Sequence, residues 1–222
     1  MAEVLPLDVT DDESVTRAVR ELLAGGACDV LVNNAGTFHQ REFVLQPAEE
    51  QRAEMELNYF GPLRLARALV PAFIAQRSGL VVNVSSLLGS IASPTAASYG
   101  ATKAALESFS YSLRAELARF GVRVTVYVAP HTQTDLGRAA EFDGVVSLPV
   151  EYAAKELIHA IDRAPRRYAA SPVYRFLLWL GRLFPAFMEA RVGAGTKRLW
   201  VADPLASAAS ARSGDHEHAH AG

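Results

Sequence analysis

Cysteine is almost absent: Cys28 is the only one in 222 residues. A lone thiol excludes an intrachain disulfide and any multi-cysteine metal centre, and it fits the reducing cytosol expected of a cytoplasmic protein. An excess of one charge is lacking too. Lys and Arg number 22 against 24 Asp and Glu, a net charge of −2, which leaves no basic stripe for nucleic acid. No apolar run reaches the ~20 residues of a membrane-spanning helix. The longest, Val173 to Phe187, is interrupted by Arg175, Arg182 and Pro185. The opening residues are acidic and alternating, without the basic, apolar and small-residue order of a signal peptide. There is no internal repeat. Half of the residues are hydrophobic, enough for one well-buried domain over residues 1–200.

Short apolar runs alternate with longer helical periods, the pattern of parallel α/β units. Val4–Val9 reads as a short strand end. Thr10 or Asp11 caps a helix over about 12–24 whose inner face carries Val15, Ala18, Val19, Leu22 and Leu23. Val30–Val32 is a strand that runs into Asn33-Asn34-Ala35-Gly36. A long helix follows Pro47 through Asn58 to Gln76, and Leu80–Val84 is a strand that ends at Ser85 and Ser86. The next helix continues to about Phe120, where Gly121 is a good stop. Val122–Val128 is a strand, residues 150–163 form a helix, and Arg166–Ala170 is a last strand. After Val201 the chain becomes a tail rich in Ala, Ser, Gly and His. Its alternating His216, His218 and His220 read as solvated or as a weak divalent-metal tract.

The chemistry concentrates at Tyr99 and Lys103. Four residues is about one helical turn, so the phenol and the ammonium stack on one helix face. A nearby cation favours the phenolate, and Ser86, at the preceding strand end, could polarise a carbonyl beside it. Taken alone, such a Tyr/Lys pair is more commonly a surface contact. Asn58 sits mid-helix, where its short polar side chain is a poor helix former; it reads as solvent-facing or functional. Asn33 to Gly36 follow a strand at the carboxyl end, where ligands approach open α/β sheets. A plain strand-to-loop turn would use similar residues.

In order and at matching spacings, Asn33-Asn34-Ala35-Gly36, Asn58-Tyr59-Phe60-Gly61, Ser86 and Tyr99-x-x-x-Lys103 resemble the short-chain dehydrogenase/reductase family over about residues 3–170. The resemblance implies a doubly wound, Rossmann-like parallel sheet with helices on both faces. It implies an NAD(P)-dependent oxidoreductase, with NAD or NADP as cofactor. Tyr99 is then the general acid/base and a cofactor contact, Lys103 holds the nicotinamide ribose, Ser86 binds the substrate oxygen, and Asn58 orders a water that resupplies the proton. Asn33 would brace the sheet, while Asn34, Ala35 and Gly36 line the cofactor. Asp8 and Val9 match the adenine contact. Pro130, Thr132 and Thr134 match the nicotinamide end, where His131 departs from the family's glycine and reads as a loop residue or a second base.

The family's first strand, Thr-Gly-x-x-x-Gly-x-Gly turn, helix and second strand are missing from this sequence. The expectation is a domain lacking its first β-α-β portion, from a truncated gene model or a fragment of a longer reductase. Val30–Val32 would then be a bare apolar edge. A shortened, non-catalytic paralogue acting as a binding or dimerising subunit is the alternative. Substrate contacts in the family come from the segment after Pro130 and from the C-terminus. Here residues 173–187 read as an interfacial, membrane-contacting helix or hydrophobic lid, or as a helix packed on the core or on a partner subunit. Family members with similar tails act on lipid-like ketones, which implies a bulky apolar carbonyl or alcohol. A homo-oligomer is implied by resemblance.

Overall fold

The computed structural model describes residues 4–138, 146–196 and 200–201. The tail histidines and the remainder of the C-terminal segment lie outside the described residues. In chain order the elements are α1 (Asp12–Ala24), β1 (Val30–Asn33), α2 (Ala48–Met55), α3 (Gly61–Gln76), β2 (Gly79–Ser86) and α4 (Ala97–Leu117). Then come β3 (Val122–Ala129), the short α5 (Asp135–Arg138), α6 (Val150–Arg163), β4 (Arg167–Ala169), α7 (Pro172–Leu183) and α8 (Pro185–Thr196). All four strands are parallel and lie in the order β1-β2-β3-β4.

Strand alternation sends successive side chains to opposite faces of the sheet. Val81, Val122 and Val124 pack with Leu65, Leu69 and Phe73 of α3 and with Leu117 of α4, while Val15 and Val19 of α1 close the outside of that layer. Leu80, Val82, Val84 and Tyr127 face the other way, onto Ala160 and Leu157 of α6. Helices therefore cover both faces, as expected. All three strand steps run in the same direction, so placing α6 opposite α3 and α4 gives the last crossover the opposite hand to the first two. That is a rare arrangement for parallel strands.

Local signals account for most boundaries. The Asp11 carboxylate accepts the Glu13 N–H at 3.0 Å and caps α1. Gly121 ends the helical stretch that continues α4, at φ 76°, a left-handed conformation that costs a glycine little. The long helix expected from Pro47 to Gln76 is not continuous. Between α2 and α3, residues Glu56–Phe60 widen into a π-turn that contains Asn58. Such bulges are frequent at functional sites.

Two expectations are corrected. Val4–Val9 is coil rather than strand, because no neighbour pairs with it among the described residues. Val4 is fully in solvent, and Val9 packs into the α1/α3 core instead. The segment 173–187 is not one helix. The Phe184 backbone leaves helical geometry, and Pro185 opens α8, as expected of a residue that cannot continue the previous helix. The outer edge of β1 carries no strand partner among the described residues, and Val30 there is exposed.

Candidate active site

A cleft of about 910 Å³ opens at the carboxyl ends of the strands. It brings together Ser86, Tyr99 and Lys103 with Asn34, Ala35, Gly36, Pro130, Thr132 and Thr134. The roof is the α7–α8 hairpin, which rests on the loop before α4. There Gly181 lies close against Ile91, and Gly193 faces Pro94.

Ser86 ends β2, and its Oγ accepts the Leu88 N–H at 3.3 Å. Tyr99, in the first turn of α4, is hydrogen-bonded to Ser86 and packs at a tilt of 55° against Phe38, with ring centroids 4.7 Å apart. Lys103, one turn on, is buried; its ammonium donates to the Val84 carbonyl at 3.0 Å and lies 5.7 Å from the Tyr99 ring centre. The expectation of a phenol acidified by this ammonium is reversed. Burial pushes the Tyr99 phenol up to about 12; the Ser86 hydrogen bond opposes this and the Glu54 charge adds to it. Burial also brings the Lys103 ammonium down to about 8. At neutral pH the phenol is protonated.

The lysine shift has a stability consequence. Below about pH 8 the ammonium is charged in both folded and unfolded chains, and the fold carries its whole burial cost. Between about 8 and 10.5 the unfolded chain binds more protons, so stability rises with pH, by about 3 kcal/mol in all. Lys103→Met should flatten that rise, as read from urea midpoints across the range.

Asn58 is not solvent-facing; it is completely buried. Its amide clamps Thr37 from both sides, donating to the Thr37 carbonyl at 2.8 Å and accepting the Thr37 N–H at 2.8 Å. It also donates to Thr102 Oγ1 at 3.2 Å, and Thr102 in turn donates to the Tyr99 carbonyl. A Cβ on Gly36 would meet Asn58 Oδ1 at 3.0 Å and Lys103 Nζ at 3.6 Å. Glycine therefore leaves the floor of the cleft open above these two polar groups. Asn33 donates to Asn83 Oδ1 at 2.7 Å, and Asn83 donates to Ser110, joining β1, β2 and α4.

Asp8 lies apart from the cleft. Its carboxylate is occupied by the Thr10 N–H and hydroxyl at 2.8 and 2.7 Å, which hold it below the usual carboxylate range. Val9 borders a separate cavity of about 130 Å³ beside Asn34 and Ala35. His131 lines the cleft, and burial lowers its imidazole pKa. Its backbone N–H donates to the Tyr174 hydroxyl of α7 at 2.8 Å. Among the described residues no group of three His, Cys, Asp or Glu could hold a metal.

Two buried acids escape a reading by motif. Glu54 is wholly buried. It accepts the His39 N–H at 2.6 Å and the Ser98 hydroxyl, and Gln46 reaches it at 3.4 Å. Because Phe38 and Tyr99 adjoin His39 and Ser98, one carboxylate ties together the two segments whose rings are in contact. Glu107 accepts from Ser85 at 2.7 Å and from Arg167 at 3.0 Å, and Arg167 also reaches Ser90 at 2.7 Å. This network holds the strand end on either side of Ser86.

A doubly wound α/β domain with a serine, a tyrosine and a lysine converging at its strand ends is the architecture of a nucleotide-dependent oxidoreductase. The chain belongs to the short chain dehydrogenase family, whose sequence profile matches residues 1–143. It is 32% identical to dehydrogenase/reductase SDR family member 7B of Bos taurus over 91% of this chain and 56% of that protein. It is also 32% identical to a fatty acyl-CoA reductase of Acinetobacter baylyi, over 76% of this chain and 58% of that one. The chain thus spans about half the length of the curated relatives it matches. Among solved structures, a Burkholderia cenocepacia short chain dehydrogenase in complex with NADP superposes with a TM-score of 0.75 at 29% identity, covering 85% of this chain and 77% of that one. No helix of the described residues is long and apolar enough to cross a membrane.

Proposed function

We propose that the protein is an NAD(P)-dependent oxidoreductase that interconverts a carbonyl and an alcohol on an apolar, lipid-like substrate. The observation that carries this reading is the convergence of Ser86, Tyr99 and Lys103 in one cleft. Its substrate wall is built from Leu87, Leu88, Ile91, Leu177, Met188 and Val192. The Burkholderia neighbour binds NADP, and the Acinetobacter relative is named for a fatty acyl substrate.

The open floor at Gly36, bordered by Asn34, Ala35 and Lys103 Nζ, suits the ribose and nicotinamide of a dinucleotide. Pro130, Thr132 and Thr134 stand on the facing side. Bound there, the nicotinamide supplies or accepts the hydride. Ser86 Oγ donates a hydrogen bond to the substrate oxygen as negative charge grows on it. Tyr99, protonated and bonded to Ser86, gives its phenolic proton to that oxygen in the reductive direction and takes one back in the oxidative direction. Lys103 presents its ammonium to the ribose. Asn58 fixes the Thr37 backbone, and with it the cleft floor, and stands where an ordered water could relay a proton to Lys103.

Nicotinamide fluorescence titration with NADPH and NADH, followed by turnover of a long-chain ketone against a small sugar, tests this. Saturable binding with turnover of the ketone is the expected result. A folded chain that binds neither nucleotide would instead favour the non-catalytic binding or dimerising subunit. The partly exposed rings of Tyr59 and Phe60 pack edge to face, and Tyr59 does the same with Phe109 of α4, which supports a homo-oligomer through that face.

The outer face of α7 shows Val173, Phe176, Trp179 and Leu183 to solvent, with Phe184 and Phe187 next to them and Arg175 and Arg182 alongside. This arrangement supports peripheral contact with a membrane surface. Co-sedimentation with anionic vesicles should fall several-fold in the double variant Phe176→Ser/Trp179→Ser. Equal sedimentation of variant and parent would remove the membrane from the reading.

A further inference from the structure

We infer that the substrate carries an anionic group, a carboxylate on an apolar chain, and that Arg191 of α8 is the residue that receives it. The inference rests on the apolar-substrate reading above and names the polar end of that substrate.

One face of α8, at Met188, Arg191, Val192, Gly195 and Thr196, lines the cleft. The spacing of 0, 3, 4, 7 and 8 is that of a single helical stripe. Every member of the stripe is apolar or small and neutral except Arg191. Within the described residues Arg191 forms no ion pair, and α8 offers no acid three or four residues away: the neighbours are Phe187, Met188, Ala194 and Gly195. The other full cation of the lining, Lys103, is engaged by the Val84 carbonyl beneath Tyr99.

Arg191 also stands on the substrate side. Its helix faces Pro94 at Gly193, and its Met188 meets Gly181 of α7, which itself lies against Ile91, whereas the dinucleotide floor is formed by Asn34, Ala35 and Gly36. A cofactor phosphate is therefore not its natural partner. A guanidinium fork on an otherwise apolar wall matches a planar carboxylate at the end of a hydrocarbon chain.

Calorimetric titration of the whole chain with dodecanoate and with methyl dodecanoate, both below their aggregation limits, requires neither nucleotide nor turnover. Dodecanoate should bind about tenfold more tightly than its ester. Arg191→Gln should abolish that preference and leave ester binding unchanged, Arg191→Lys should keep part of it, and Arg182→Gln, on α7 outside the cleft, should keep all of it. Equal affinity of the parent for acid and ester, or a preference that survives Arg191→Gln, overturns the inference while leaving an apolar substrate in place. Binding of neither compound overturns the apolar reading, and the inference with it.

Discussion

Replacing Tyr99 by phenylalanine should lower ketone turnover by about 10²–10⁴-fold, the usual contribution of a positioned general acid, with little change in nucleotide affinity. The substitution removes one oxygen. The ring keeps its tilted contact with Phe38, and Ser86 Oγ still accepts the Leu88 N–H, so the fold loses about one ordinary hydrogen bond, roughly 1 kcal/mol. The phenol, pushed up to about 12, remains a proton donor across the neutral range. The reductive rate should therefore show no acidic or neutral limb assignable to Tyr99, while alcohol oxidation should accelerate as pH rises. Stopped-flow oxidation of NADPH measures the first effect, and paired pH profiles for the two directions measure the second. A variant that retains a tenth of the parent rate would remove the phenol from the mechanism.

Glu54→Ala should destabilise the protein by about 3–5 kcal/mol, a cavity cost added to the cost of stranding buried donors. The donors left behind are the His39 N–H and the Gln46 amide, while the Ser98 hydroxyl keeps the Gln46 Oε1 at 2.8 Å. Glu54→Gln keeps volume and one acceptor oxygen, so it should recover roughly half of that loss. Chemical denaturation of the three proteins gives the ranking. Because the carboxylate joins the Phe38–His39 segment to the Ser98–Tyr99 turn, Glu54→Ala should also reduce turnover under conditions where it remains folded. A loss under 1 kcal/mol would mean that Glu54 has other partners or solvent.

The role of Glu54 is not legible in its local sequence. It lies in Ala48–Met55, a run crowded with charge and without an apolar stripe, so by local pattern it belongs on a solvated face. Its burial comes from the loop over 37–46 folding back on α2 and from Ser98, 44 residues away on α4. Glu107 and Arg167 are 60 residues apart, and no motif links them. By contrast, Tyr99 and Lys103 are one turn apart and Ser86 ends the strand that feeds their helix, so their meeting was legible from spacing. The boundaries of α1 and the stop at Gly121 were legible for the same reason: a cap or a left-handed glycine acts within a few residues. Val4–Val9 misled because its β-type composition says nothing about whether a pairing neighbour exists.

The hydrogen bond from the His131 N–H to the Tyr174 hydroxyl ties the loop after β3 to α7. A ligand group that accepted the His131 N–H would compete with Tyr174 of α7 for one donor, so its occupancy should loosen the seat of the hairpin. By thermodynamic reciprocity, a second ligand that lifts the hairpin frees the amide and tightens binding of the first by the same factor. Tyr174→Phe should therefore uncouple the two affinities.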